Sequence, residues 1–408
     1  MEKLEAFFGL PPDVKFCKKC VISNQRPNSA VEMKNKGKKK ETIQFDDAGV
    51  CSACHFGENK KETDWKEREE KLFEMLEPYR RHDGSYDVLV PSSGGKDSSF
   101  AAHVLKYKYK MNPLAITWAP NMFARAGWLN FNNLSRVGGV DSFLYTPNGK
   151  LHSLLTKLAF VNLGHPFQPF VHGQKVIGPK LAKKFGIKLI MYGENQAEYG
   201  NPLEDNKDPF MQPTFFSIDE PMEMLLGGIK IRDIMDHYGF SLNDFSAYIP
   251  PRPSDIEEYD INVTYLGYFE KWDPQECYYY AVENTGFKPS YERSIGTYSR
   301  YTEIDDKIVP FHFYMTYIKF GIGRATYDAA QEVRNGKITR DEAVYLVKKF
   351  DGEFPEKYLD EFVNYIGISR DEFYEIVDSF RSPHLWTKKD GKWMLRHTSA
   401  KDGCDDYD

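Results

Sequence analysis

The sequence predicts an α/β protein with a doubly wound parallel sheet, and three observations support that fold class. Four apolar runs of strand length occur between residues 86 and 200, in "YDVLV", "NPLAITWAP", "DSFLYTP" and "IKLIMY". Helical stretches separate them, and strands that alternate with helices indicate parallel pairing. Two glycine-containing segments, "SSGGKDSS" and "GENQAEYG", each follow a strand directly. In such sheets ligands bind at the carboxyl ends of the strands.

Helices are predicted over residues 98–110, 151–162 and 175–185, the last ended by Gly186, and near 219–238, while residues 125–138 indicate a helix or a loop. Upstream, residues 61–82 place Trp65, Leu72 and Leu76 at helical spacing. Beyond residue 300 the pattern is mostly helical, with Ser369 as the predicted N-cap of a late helix.

Composition excludes several classes of protein. The chain has 408 residues, 41% of them hydrophobic and 15% aromatic, which is enough core for two or three domains and is unlike a disordered chain. The net charge of −6 argues against binding nucleic acid with the whole surface. Apolar runs of about 18 residues are absent and the first residues, "MEKLEAFFGLPPD", do not resemble a signal peptide. We therefore expect a cytoplasmic protein without a membrane span.

The segment "PSSGGKDSS", residues 91–99, has the layout of a phosphate cradle. Gly94 and Gly95 let the backbone approach an anion closely, and the N–H groups of the following helix point at it. Lys96 adds charge, and Asp97 either shapes the loop or helps to place Mg²⁺. The alternative is an ordinary glycine turn that caps a helix. The predicted phosphate-binding residues are Ser92, Ser93, Gly94, Gly95, Lys96, Asp97, Ser98 and Ser99.

Two C-x-x-C pairs predict a metal site. Cys17, Cys20, Cys51 and Cys54 offer four thiolates, a set that suits tetrahedral Zn²⁺, and four protein ligands leave no open position, so the site is predicted to be structural. Four free buried cysteines or a redox pair are the alternatives. His55 follows Cys54 and is interpreted as a neighbour of the ligands.

The segment "YGENQAEYG" predicts a second part of the ligand site. Gly193 allows close backbone approach after its strand, and Glu194 and Asn195 would then face the cleft, towards Mg²⁺, ribose or the reacting group. An ordinary capping turn is the alternative.

Two C-terminal segments carry further candidates. In "YIKFGIGRA", Lys319 and Arg324 flank two glycines, as in phosphate sites; a helix break with solvated charges is the alternative. The segment "GTYSRYTEIDDK" supplies Tyr298 and Arg300. Aromatic clusters of this kind are more often core, but stacking on a sugar ring or a base is the functional interpretation.

The loop resembles the pyrophosphate loop, S-G-G-x-D-S, of the adenine-nucleotide α-hydrolase fold. With "CKKCVIS", "IQFDDAGVCSACH", "MYGENQAEYG", "YLGYFEKWDPQE" and the long block from "GTYSRYTEIDDK" to "VYLVKKFDGE", most of the chain resembles the N-acetyl sugar amidotransferase family of bacterial surface-polysaccharide and flagellar-glycan pathways. The resemblance implies that ATP adenylates the oxygen of a sugar acetamido group, that ammonia attacks the imidate carbon, and that AMP leaves an acetamidino group. It also implies Mg²⁺ as a cofactor.

The same resemblance implies two separate partners, a glutaminase subunit and a cyclase-like subunit that channels ammonia. The chain shows no clear glutaminase signature of its own. His165 and His172, in "HPFQPFVHGQK", could serve as bases for ammonia, although a structural or substrate-lining role is the more ordinary one. Residues 92–200 contain no cysteine, which disfavours sulfur transfer.

The resulting division has four regions. Residues 1–60 form the zinc module, 61–200 the ATP-binding domain, 201–260 a substrate-recognition insertion, and 261–400 an aromatic and helical region that completes the active site. The catalytic set is predicted as Lys96, Asp97, Lys319 and Arg324. Two rival functions are a tRNA- or nucleotide-modifying synthetase of the same fold and a non-catalytic scaffold, which would have a broken loop.

Overall fold

The computed structural model describes residues 4–28, 40–199, 208–212 and 217–400, without the side chain of residue 196. Its strands are β1 (Val88–Pro91), β2 (Pro113–Trp118), β3 (Asp141–Tyr145), β4 (Leu189–Tyr192), β5 (Leu225–Leu226), β6 (Ile229–Lys230), β7 (Asn262–Tyr265), β8 (Trp386–Lys389) and β9 (Lys392–Leu395). Its helices are α1 (Ser52–Glu62), α2 (Trp65–Leu76), α3 (Lys96–Tyr107), α4 (Arg125–Arg136), α5 (Gly149–Leu163), α6 (Gln168–Phe185), α7 (Ile231–Tyr238), α8 (Pro253–Glu258), α9 (Leu266–Phe269), α10 (Pro274–Asn284), α11 (Val309–Phe320), α12 (Arg324–Arg334), α13 (Arg340–Phe350), α14 (Leu359–Ile366) and α15 (Arg370–Ser379).

Five strands form one parallel sheet in the order β3-β2-β1-β4-β7. The order reverses between β1 and β4, and at such a point the loops that leave two neighbouring strands diverge and open a crevice. The segment after β1 is the predicted phosphate loop, and the segment after β4 is "GENQAEYG". The predicted doubly wound parallel fold is therefore confirmed, and both segments lie side by side at its switch point.

Both faces of the sheet are covered, and its central strands β1, β2 and β4 are almost wholly apolar. Leu89, Ile116 and Ile190 pack with α5 and α6 on one face. Val90 and Met191 pack with α2, α3 and α10 on the other. Side chains alternate between the two faces along each strand, so a strand buried on both sides must be apolar at every position.

A third core joins the N-terminal module to the C-terminal helices. Phe8 lies between Phe320 and Phe380, with ring centroids 6.1 and 6.3 Å away, and the four cysteines belong to the same cluster of buried residues. Arg340, the first residue of α13, donates from Nε to the carbonyl oxygens of Cys17 and Cys20 at 3.3 and 3.2 Å. Chain ends that are far apart in sequence therefore share one apolar interior.

Several sequence-based expectations have a clear outcome. The N-terminal four-cysteine cluster and the mostly helical C-terminal region are confirmed, as is the N-cap Ser369, whose hydroxyl accepts the N–H of Glu372. The helix expected over 175–185 begins earlier, at Gln168. The helix expected near 219–238 is confined to 231–238, because a two-stranded hairpin, β5 and β6, precedes it.

The four-region division stays a prediction. The sheet takes its last strand, β7, from residues 262–265, beyond the range assigned to the ATP-binding domain. Part of the insertion 201–260, most of the lysine-rich stretch near 32–41 and the acidic end 401–408 lie outside the described residues. Among the helices that are described, none has the length and apolarity needed to cross a membrane.

Candidate active site and metal centre

The loop between β1 and α3 is held by its own serines. Ser92 Oγ accepts the N–H of Gly94 at 3.1 Å and donates to Ser98 Oγ at 3.0 Å. Ser93 Oγ accepts the N–H of Gly95 at 3.3 Å, and Gly95 is the N-cap of α3. Local hydrogen bonds of this kind fix a turn before any ligand arrives. The predicted cradle is thus preformed at the start of a helix, where anions are favoured.

Gly94 is required by both its backbone and its surroundings. Its φ is +79°, and a Cβ there would lie 2.5 Å from the backbone nitrogen of Phe131. We predict that Gly94→Ala lowers the free energy of unfolding by about 3 kcal/mol, from left-handed strain and overpacking together. It is also expected to distort the anion cradle, because either the loop or α4 must move.

Gly84→Ala is the matched control for this change. Gly84 has nearly the same φ, +84°, but a Cβ would meet nothing within 4 Å. Only the backbone strain remains, which we expect to cost about 1 kcal/mol. Urea denaturation of both variants measures the difference, and equal losses would contradict the steric explanation.

Lys96 and Asp97 form the charged part of the loop. Lys96 is 8% exposed, and its Nζ donates to Asp97 Oδ2 at 2.5 Å. Burial lowers the pKa of Lys96, but the attraction of Asp97 outweighs it, so the pKa is raised overall and the ammonium group stays charged. Two of the predicted catalytic groups are therefore in contact at the helix start.

Two cavities meet at this loop. The first, the polar cavity, encloses about 270 Å³ and is bounded by residues 93–97 of the loop and by residues between 299 and 337 of the C-terminal region. The second, the aromatic cavity, encloses about 480 Å³. Among the described residues, its rings come from Trp118, Phe167, Phe170, Tyr192, Tyr199 and Tyr265. Seven residues line both cavities: Ser93, Gly95, Asp97, Glu194, Tyr199, Glu303 and Asp305.

The polar cavity is acidic. Among the described residues of its lining, three side chains are cationic: Lys96, Arg324 and Lys337. Seven of these described residues are acidic: Asp97, Glu194, Asp273, Glu303, Asp305, Asp328 and Glu332. This excess of acidic side chains favours cations.

Glu194 and Glu303 lie at the junction of the two cavities, and the pKa of each carboxyl group is raised. Burial, then Asp97, raises the pKa of Glu194 to about 7, against Lys96 and a hydrogen bond donated by Tyr199 Oη at 2.8 Å. Burial also raises the pKa of Glu303 to about 7, although Arg324 opposes it. A carboxylate with such a pKa can take up or release a proton near neutral pH.

Arg324 reaches the polar cavity from the first position of α12. Its guanidinium pairs with Glu303 at 2.9 Å and with Asp328, one turn later, at 2.7 Å. Asp351 caps this helix start by accepting the N–H groups of Gly323 and Thr326 at 2.9 and 3.1 Å. Arg324 therefore lies beside the loop residues as predicted, already paired with two carboxylates.

Lys319 is not part of this constellation. It is 1% exposed, its Nζ donates to the carbonyl oxygen of Leu163 at 2.6 Å, and the rings of Phe8, Phe320 and Phe380 surround it. It lines neither cavity of the described chain. We therefore correct its predicted catalytic role: α11 turns Lys319 into the shared core, and only Arg324, past the glycine break, faces the cavity.

The two histidines are also placed elsewhere. His172 donates from Nε2 to the carbonyl oxygen of Tyr248 at 2.7 Å, and His165 stacks on His312 at 4.4 Å between centroids. Burial lowers their pKa values to about 4 and about 3. Neither lines the two cavities described above, so His172 is corrected from a substrate-lining residue to an interior one.

Some of the other residues predicted to line the ligand site lie at the two cavities, and others do not. Asn195 is buried and its Oδ1 accepts the N–H of Ala197, which shapes the turn after β4. Arg300 is exposed and donates to the carbonyl oxygen of Ser290, and Tyr298 packs near Phe350. None of these three residues is among the described residues that line the two cavities. Ser99 of the loop does not line them either, and its side chain is buried. Gly193 and Glu194 do line the aromatic cavity.

Sequence reasoning missed the residues that replace them. Ser299, Glu303 and Asp305 line the polar cavity from the segment that supplied Tyr298 and Arg300. This segment reaches the loop because Gly127 of α4 lets its backbone approach; a Cβ at Gly127 would lie 2.4 Å from the Cα of Asp305. Glu303 has a φ of +51°, a strained conformation for a residue with a side chain. For α12 a signal existed: Asp328 and Gln331 follow Arg324 at helical spacing.

Cys277 bears on the argument that the absence of cysteine from residues 92–200 disfavours sulfur transfer. It lies outside residues 92–200, yet the fold brings it close enough to interact electrostatically with Lys96. The thiol is 2% exposed, and burial raises its pKa well above its usual value. It is a protonated thiol that lines neither cavity, which is unlike a reactive one.

The four cysteines of the two C-x-x-C pairs converge as predicted. Their sulfur atoms all lie within 4.8 Å of one another, with Cys17–Cys54 at 3.8 Å and Cys20–Cys51 at 3.7 Å. Four sulfurs about 2.3 Å from one tetrahedral ion would stand about 3.8 Å apart. His55 contacts Asp46 instead. The donor set therefore fits a single metal ion.

Comparison with known proteins gives three findings. Residues 295–399 match the family model described as "LPS biosynthesis protein WbpG-like, C-terminal domain". An uncharacterised protein of Methanocaldococcus jannaschii is 28% identical over 234 residues, which is 50% of this chain and 80% of that protein. The solved structure of the U34-tRNA thiolase NcsA from Methanococcus maripaludis, with its 4Fe-4S cluster, aligns over 79% of this chain and 90% of its own at 13% identity. Its TM-score of 0.28 is too low to support a conclusion.

Proposed function

We propose that the protein is an ATP-dependent amidotransferase that converts a sugar acetamido group into an acetamidino group during bacterial surface-glycan biosynthesis. One observation carries the proposal. The polar cavity has a pyrophosphate-type loop on one side, and on the other it has residues 299–337, which fall within the segment that matches a lipopolysaccharide-biosynthesis domain. An ATP-activating loop thus faces a glycan-pathway domain across a shared space.

The activation half of the reaction follows from the two cavities. The aromatic cavity suits the adenosine of ATP, since its rings can stack on a base, and the loop suits the phosphates. The acceptor enters from the polar cavity, so the α-phosphate lies where the cavities meet. Mg²⁺ would be held largely by the phosphates together with one or two carboxylates, such as Asp97.

Each step balances. The amide oxygen attacks the α-phosphorus, the bond to the β-phosphate oxygen breaks, and pyrophosphate leaves. Ammonia then attacks the imidate carbon, AMP departs with the former amide oxygen, and a carboxylate takes the proton that the nitrogen loses. Glu194 and Glu303 are suited to that task because burial raises their pKa values to about 7.

The charge of the polar cavity favours nitrogen transfer over the rival function. An amidine is a cation at neutral pH, so seven carboxylates around the acceptor stabilise the product. The buried Cys277 thiol also offers no sulfur carrier.

A direct test uses acetamido sugars and acetamido-sugar nucleotides with ATP, Mg²⁺ and ammonium. We expect a product lighter by about one mass unit, because NH replaces O, together with AMP and pyrophosphate. With ¹⁸O in the acetamido group, the label is expected in AMP, since the amide oxygen becomes a phosphate oxygen. Unlabelled AMP formed alongside the lighter sugar would contradict adenylation, and modification of tRNA instead would favour the rival.

Three further elements belong to the proposal. The four thiolates suit zinc in a structural role, because they leave no open position for a substrate. A separate glutaminase subunit and a cyclase-like subunit would supply ammonia. Reactions on activated sugars and ATP place the enzyme in the cytoplasm.

A further inference from the structure

Lys60 is a buried cation that ties three parts of the chain together. The side chain is 6% exposed, and its Nζ lies 2.7 Å from Glu198 Oε1, 2.7 Å from the carbonyl oxygen of Trp272 and 3.3 Å from Asn335 Oδ1. Glu198 is as deeply buried, at 3%. These partners come from the turn after β4, from the segment before α10 and from the residue after α12.

The helix that carries Lys60 begins in the metal centre. Cys51 is the N-cap of α1 and Cys54 lies in its first turn, so a metal ion bound there fixes one end of the helix. Lys60 stands six residues after Cys54, about 9 Å along the axis. Between them, Gly57 packs against α12 so closely that a Cβ would lie 3.3 Å from Cβ of Arg334. The position of Lys60 is therefore set by the module and by α12 together.

The partner of Lys60 shapes the junction of the two cavities. Glu198 belongs to the short 3-10 helix Gln196–Tyr199. Its N–H donates to the carbonyl oxygen of Asn195 at 3.1 Å, and its own carbonyl oxygen accepts from Arg334 Nη2 at 2.9 Å. The next residue, Tyr199, donates its hydroxyl to Glu194 Oε2. A shift of Glu198 would move Tyr199 and so release Glu194.

We propose that Lys60 and Glu198 are positioning residues through which the four-cysteine module holds Tyr199 and Glu194 in place between the cavities. The buried pair resists displacement because a lone buried charge is far costlier than the pair. The metal centre then does more than stabilise a distant module: it orders one wall of the candidate active site. The kinetic part of the test rests on the proposed function, whereas the structural part does not.

The structural test measures amide hydrogen exchange in the metal-loaded protein, with Lys60→Met compared with Lys61→Met. Lys61 is the exposed neighbour on the same helix. In Lys60→Met we expect exchange in residues 194–199 to rise at least about tenfold while β1 and β2 keep their protection and the metal content is unchanged. Lys61→Met should match the unaltered protein. A uniform rise across the sheet, or none in 194–199, would overturn the proposal.

Removal of the metal with a chelator is the second arm. If the module positions the wall, exchange should rise in residues 51–62 and also in residues 194–199. A rise confined to residues 51–62 would mean that the turn after β4 does not depend on the metal, and would overturn the coupling.

The kinetic arm separates positioning from general damage. Lys60→Met is expected to lower kcat by about 10- to 100-fold with less than about a threefold change in the KM for ATP. Tyr199→Phe removes one hydroxyl, and the double variant should be no slower than Lys60→Met alone, because both act through Glu194. Additive losses would overturn the route through Tyr199. If no acetamido sugar is converted at all, the proposed function is wrong. The hydrogen-exchange measurements still test the positioning role of Lys60 and Glu198 in that case.

Discussion

Lys96→Ala is expected to lower AMP formation from ATP at least about 1,000-fold while the fold survives. Lys96 is the cation that the structure places in the loop at the start of α3, in a buried position where charge is worth more than in water. In the proposed reaction, its loss removes the group best placed to neutralise charge on departing pyrophosphate. Asp97, left without its ion-pair partner, also becomes free to repel the nucleotide.

Lys108→Ala is the matched control, at the other end of the same helix. Lys108 pairs with Glu69 and Glu270 near the surface, so its loss is expected to change AMP formation less than about twofold. Circular dichroism and thermal unfolding establish that both variants are folded. Full activity in a folded Lys96→Ala protein would show that the loop does not serve ATP.

Cys17→Ser is expected to remove the metal and to lower the unfolding temperature by about 10 °C or more. The structure predicts about one metal ion per chain, since one set of four sulfurs converges in the described residues. Structural metal sites supply much of the folding free energy of small modules. Here the N-terminal module contributes Phe8, Val21 and Ile22 to the core shared with the C-terminal helices. The loss of stability should therefore extend beyond the two C-x-x-C segments.

Cys277→Ser controls for the loss of a buried thiol as such. Cys277 is as buried as the cysteines of the pairs but stands apart from them, so its metal content should stay at about one ion per chain. Elemental analysis and thermal unfolding measure both variants. A Cys17→Ser protein that kept its metal and its stability would show that the cluster is a set of free thiols.

The parts that could be predicted from the sequence are those whose signals are local. An apolar run followed by glycines and a helix defines a strand, a loop and an anion site within about twenty residues. The two C-x-x-C pairs are also local signals, because each pair brings two sulfur atoms together within four residues. Gly94, Lys96 and the four cysteines were found for this reason. Where a signal was local but ambiguous, as with Lys319 and Arg324 around a glycine break, only one of the two cations, Arg324, lines the polar cavity.

The polar cavity was beyond such reasoning because its walls meet through long-range packing. Glu303 and Asp305 face the loop only because residues 303–306 pack against Gly127 of α4, nearly 180 positions earlier. Tyr298 and Arg300 lie in the same segment, but the direction of each side chain depends on backbone turns that no periodicity describes. The strained φ of Glu303 is one of those turns.

By itself the sequence determined the parallel α/β class, the loop that follows β1 and the four-cysteine cluster, since each depends on residues close together in the chain. Only the tertiary structure decided that Lys319 is interior, that His172 is bonded to a backbone carbonyl, and that Lys60 reaches Glu198 across 138 positions. Burial and pairing of charge are properties of the assembled core. A lysine on a predicted helix carries no mark of whether it will meet water, phosphate or a buried carboxylate.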